Sequence, residues 1–73
     1  MAQKITGREA MARHAAAELI TWGEWKNGRP VVTASDVAAK TGSMYGQYLK
    51  TSISQDEAET GLRLALTQKG LPV

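Results

Sequence analysis

His14 is the single histidine of a chain that has no cysteine, so any acid–base or metal chemistry must be built around it and seven carboxylates. On a helix Glu18 stands one turn beyond His14, and the pair predicts a hydrogen-bonded surface histidine, because a metal site needs more donors than two. Asp56, Glu57 and Glu59 cluster where a helix should start, and negative charge there favours the positive end of the helix dipole. That role accounts for them without calcium or acid catalysis. Neither a glycine-rich phosphate loop nor a nucleophile elbow occurs, and the seven glycines are spread as helix ends and turns. Binding without catalysis, metal or cofactor is the expected chemistry.

Charge is uneven along the chain although it totals only +2. Lys26, Arg29, Lys40 and Lys50 face Asp36 alone between residues 26 and 50, an excess of three positive charges. The first 25 residues balance, and the last 23 carry one net negative charge. A polyanion would dock on the middle segment by counterion release, but three charges are few for tight phosphate binding, and a solvated face explains them equally well.

Short helices have to position these residues. Thr6 with Glu9 forms a capping box, and Met11, Ala15, Leu19 and Trp22 recur at spacings of four, four and three. That pattern predicts a helix to about Trp22, ended by Gly23, with the stripe as core. Asn27-Gly28 is a tight-turn dipeptide, and Pro30 opposes helix at Arg29. A very short hairpin is one option there; an irregular loop, with Trp25 and Val31 or Val32 folded back onto the helices, is the expected one. Thr33 with Asp36 caps a short second helix that Gly42 ends in positive φ, and Ser43 caps a third, Met44 to about Ser52. Ser54 with Glu57 opens a final helix with the stripe Ala58, Leu62, Ala65 and Leu66, stopping at Lys69-Gly70. The competing reading is a wing strand over residues 61–66, since Leu62, Leu64 and Leu66 alternate with Arg63 and Ala65. The expected fold is all-α, a compact bundle of four to five short helices in a single domain over residues 1–73.

The run from Thr33 to Lys50 resembles the helix-turn-helix of bacterial and phage regulators, placed at about residues 33–52. In that resemblance Ala38 is the small residue that lets the second helix approach, Gly42 sits at the turn, and Val37 anchors the first helix. The stretch Leu19 to Pro30, a helix followed by an Asn-Gly-Arg-Pro loop, is also similar to the N-terminal part of plasmid regulators of the KfrA and KorA kind. Together these segments cover about 35 residues of the 73. The resemblance implies that Ser43, Tyr45, Gln47 and Lys50 face the major groove, Gln47 reading adenine and the other three holding phosphates. Thr41 and Ser43 depart from the aliphatic pattern around the turn, and Gly46 interrupts the second helix. An αα-corner without DNA contacts fits the same residues.

A chain of this length without disulfides buries a thin core, which leaves a homodimer open. No stretch is long and apolar enough to span a membrane and no secretory signal is evident, so a cytoplasmic location is expected. The leading use is a small transcriptional regulator that contacts double-stranded DNA through Arg29, Lys40, Ser43, Tyr45, Gln47 and Lys50. The alternative is an interaction module, a phage- or plasmid-encoded inhibitor or adaptor that binds a host protein through Trp22, Trp25 and the acidic start of the last helix. A purely structural, oligomerising protein is a third class. Lys26, Arg29, Lys40 and Lys50 gathered with Gln47 on one face favour the first; scattered, they favour the second.

Overall fold

Three side-chain capping boxes start the three helices. Thr6 Oγ1 accepts from the Glu9 amide at 3.0 Å, Thr33 Oγ1 from Asp36 at 3.1 Å and Ser54 Oγ from Glu57 at 3.2 Å, each acid returning to the cap amide. The computed structural model describes residues 4–72. In chain order these are helix α1 (Gly7–Trp22), strands β1 (Trp25–Lys26) and β2 (Arg29–Pro30), helix α2 (Ala34–Tyr45), a 3-10 turn (Gly46–Tyr48) and helix α3 (Gln55–Gln68). Three helices and a two-stranded hairpin thus replace the expected bundle of four to five helices, while the class remains mainly α.

The reduction in helix number comes from Gly42. Its φ is not positive, no turn forms there, and α2 continues for a further turn to Tyr45. No separate helix over residues 44–52 exists, so the helix-turn-helix expected at 33–52 is absent in that form. Helix is cheap at Gly42, about 1 kcal/mol relative to Ala. Breaking it would also disturb Thr41, which is fully buried with Oγ1 donating to the Val37 carbonyl at 2.6 Å. Open space surrounds Gly42, so Gly42→Ala is expected to raise stability by about 0.5–1 kcal/mol, read from urea melts. A loss of stability in that variant would mean that the helix does break at Gly42.

The hairpin is likewise a departure from the expected irregular loop. Trp25 pairs with Pro30 and Lys26 with Arg29. Asn27 and Gly28 both take positive φ, 53° and 76°, as a type I′ turn demands. Two-residue strands are not stable alone. Three bonds hold these: the Val31 amide to the Glu24 carbonyl at 2.8 Å, the Trp25 indole N–H to the Ile20 carbonyl at 2.7 Å, and Arg29 Nη2 to the Pro72 carbonyl at 3.1 Å.

Arg8 meets Glu57, Ala12 lies against Gly61, and Thr21 meets Lys69, so α1 and α3 run parallel. α2 packs against both and returns from the hairpin end to the end where Arg8 reaches the carbonyls of Thr51 and Ser52. The described chain is a slab of 37 × 31 × 16 Å. Its core is made of small residues: Ala12, Ala15, Ala16 and Ile20 from α1, Val37 and Thr41 from α2, Ile53 from the loop, and Ala58, Gly61 and Ala65 from α3. A Cβ on Gly61 would lie 2.5 Å from Ala12 Cβ and 2.6 Å from the Ala12 carbonyl carbon, which shows how closely the parallel helices approach. The segment 61–66 is therefore helix, not a wing strand: the Gly61 and Ala65 contacts need the helical spacing of four.

Candidate interaction surfaces

α1 presents Ala12, Ala16 and Ile20 to the core at spacings of four, with Ala15 beside them. The expected stripe of Met11, Ala15, Leu19 and Trp22 is displaced about one residue around the helix from this one. Trp22, two residues past Ile20, points away from the core and is 80% exposed. Its assignment as core is corrected accordingly. The alanine spacing Ala12–Ala16 followed by Ile20 was the available signal, and the larger side chains of the neighbouring stripe obscured it. Trp25 is 45% exposed, with its indole nitrogen anchored on the last turn of α1, and Val31 is exposed beside β2. Val32, in contrast, packs against the core. One end of the slab therefore carries two partly or largely exposed indoles and an exposed valine within ten residues.

The six residues expected to touch DNA are distributed as follows. Arg29 is on β2, exposed, with its guanidinium tied to the Pro72 carbonyl. Lys40 is half-buried on α2, Ser43 is exposed inside the same helix and caps nothing, and Tyr45 is the last, half-buried residue of α2. Gln47 is exposed in the 3-10 turn, and Lys50 is exposed beyond it, after an extended Leu49. Gln47 and Lys50 therefore do not share a helical face. Lys26 and Arg29 precede α2 and Lys50 follows it, a separation of about 18 Å for 12 helical residues. The positive charges are scattered along the molecule. Only Lys40, Ser43 and Gln47 keep a common line, at i, i+3 and i+7 along α2 and its 3-10 extension.

His14 Nε2 lies 3.5 Å from Arg13 Nη2, which replaces the expected partner Glu18. No three side chains among the histidine, aspartate and glutamate of the described residues come together in a metal-holding group. Of the acidic start of α3, Glu57 is engaged. Arg8 grips it through Nε at 2.8 Å and Nη2 at 3.0 Å, and Ser54 adds its amide at 2.9 Å. The Arg8 guanidinium, followed by the Ser54 amide, holds the Glu57 carboxyl down at a pKa of about 2.

Two concavities open on the surface. One, about 210 Å³, lies where Gly42 and Gly46 leave a notch at the end of α2, closed by Leu49, Lys50, Thr51 and Ser52. The other, about 290 Å³ and mostly apolar, is a groove along α3 formed by Leu62 and Leu66 with Glu59 and Arg63 at its rim. Leu62 and Leu66, expected as core, are only half-buried, because Gly61 and Ala65 take the close contact with α1. No described helix is long and apolar enough to cross a membrane. No family model, curated protein or solved structure matches the chain.

Proposed function

We propose that this chain is a non-catalytic interaction module that docks a partner protein through the hairpin end, with the indole of Trp22 as its anchor. The observation that carries this reading is the 80% exposure of Trp22 in a domain whose largest fully buried side chains are only Ile20, Val37 and Thr41. A small domain that leaves its largest apolar side chain in water forgoes about 2 kcal/mol or more of burial. Binding recovers it: tryptophan is the residue most enriched among the few that dominate protein interfaces. Glu18, Glu24, Lys26 and Arg29 surround the end with mixed signs, the polar rim of a protein interface rather than the single-sign field that draws a polyanion. The complementary partner presents an apolar pocket wide enough for an indole.

A second reading, DNA contact through α2, draws support from the line of Lys40, Ser43 and Gln47, and double-stranded DNA would be the ligand. One experiment separates the two. Trp22→Ala should melt within a few degrees of wild type, because the side chain leaves no cavity. Immobilised wild type should then retain a protein partner that the folded Trp22→Ala variant loses and a Lys40→Ala variant keeps. Salt-dependent affinity for mixed duplex DNA, abolished by Lys40→Ala and unaffected by Trp22→Ala, would reverse the choice. A melting temperature that collapses in Trp22→Ala would return the indole to the core and remove the basis of the proposal.

A further inference from the structure

The groove on α3 has a feature that points to its occupant. Glu59 and Arg63 stand four residues apart in the order that favours a helical ion pair, yet among the described residues they do not pair with each other. Glu59 accepts instead from the neutral Gln55 side chain at 3.0 Å, and both charged groups are exposed at the rim beside half-buried Leu62 and Leu66. The opposite faces of α3 are already used: Gly61 meets α1, and Ala58 and Ala65 lie in the core. One side of the helix thus offers an apolar strip with one negative and one positive charge at helical spacing.

We propose that this face binds a second copy of the chain, the two α3 helices packing antiparallel about a two-fold axis level with residue 61 on the side of α3 away from α1. An isologous interface must be self-complementary, and this charge pattern is. Reversal of direction sets Glu59 of each copy beside Arg63 of the other, so that the axis generates two ion pairs flanking the two Leu62 side chains, with Leu66 of each copy extending the apolar strip beyond them. A parallel arrangement would oppose like charges instead. The helix is 14 residues, about 21 Å, and one helix pair of that length falls at the low end of stable interfaces. The dimer should accordingly dissociate in the micromolar range. Because α1 and α3 are parallel, an antiparallel pairing directs the two Trp22 ends in opposite directions and leaves both free. The pairing does not depend on what Trp22 binds.

Sedimentation equilibrium over a micromolar concentration series tests it. Wild type should pass from monomer to dimer. Each of E59R and R63E sets like charges together twice, and each should weaken dimerisation about tenfold or more while keeping the wild-type circular dichroism. The double variant E59R/R63E, with the charges exchanged, should restore it, and W22A should dimerise as wild type does. A chain that is monomeric at every concentration, or a double variant as weak as the singles, overturns the proposal. If W22A is monomeric while the charge variants still dimerise, the copies meet through the hairpin end and the α3 face is not the interface.

Discussion

Gly61→Val should abolish the cooperative fold or cost at least about 3 kcal/mol, the largest effect expected of any single substitution in this chain. A Cβ at residue 61 would sit 2.5 Å from Ala12 Cβ, 2.6 Å from the Ala12 carbonyl carbon and 2.7 Å from the Arg13 amide nitrogen. Two of those three atoms are backbone, which no rotamer change can move aside. Relief requires α3 to separate from α1, and that separation would open the Ala16 and Ala65 contacts along the same seam. A domain of this length has only about 4–11 kcal/mol in total to lose. The graded variant is the sharper test. Gly61→Ala gains about 1 kcal/mol of helix propensity, yet it should be destabilised by about 1–3 kcal/mol, whereas Gly42→Ala in open space should gain. Urea melts of the three proteins give the comparison directly. Equal stabilisation by both alanines would show that α1 and α3 do not approach this closely.

The second large effect is expected at Arg8. Its guanidinium joins three segments at once: the start of α1, the start of α3 through both oxygens of Glu57, and the intervening loop through the carbonyls of Thr51 at 3.2 Å and Ser52 at 2.8 Å. Arg8→Ala should lower the melting temperature by several degrees at neutral pH. Arg8→Lys should recover only part of the loss, because an ammonium cannot make the two-pronged contact and still reach both carbonyls. The dependence on acid gives the independent check. Glu57 titrates at about 2 in the folded protein against an ordinary value near 4.5, so its proton binds more weakly when folded. The resulting stability is complete above pH 4.5 and is lost as the pH falls toward about 2. Wild type and Arg8→Ala should therefore differ most above that window and least at its lower end, where only the Arg8 bonds to the Thr51 and Ser52 carbonyls remain. Melting curves that stay parallel across it would show that the Arg8–Glu57 contact carries no stability.

Helix ends were legible because their determinants are local. Thr6–Glu9, Thr33–Asp36 and Ser54–Glu57 satisfy amides three residues away, whatever the rest of the chain does. Three of the four predicted starts coincide with observed helices, the exception being Ser43, which lies inside α2, and Asn27-Gly28 does form a tight turn, although one that closes a hairpin. Gly42 was read as a helix end because glycine commonly stops helices, but glycine only permits a stop. Whether α2 stops there depends on what Thr41, Met44 and Tyr45 bury, a tertiary matter.

The faces of the helices were less legible than their ends. Residue size marks Met11, Leu19, Trp22, Leu62 and Leu66 as core, and that inference holds when helices pack at ordinary distance. Here the parallel contact at Ala12–Gly61 brings two backbones together. Small side chains take the centre of the interface, and larger ones move to its flanks or, for Trp22, into water. The amino-acid sequence by itself marked the three observed helix starts, together with a false one at Ser43, and determined that the chain is mainly α and where its connector turns. Only the tertiary structure decided which face of each helix is inside, because that depends on the distance between helices, which is set by pairs of residues some 49 positions apart.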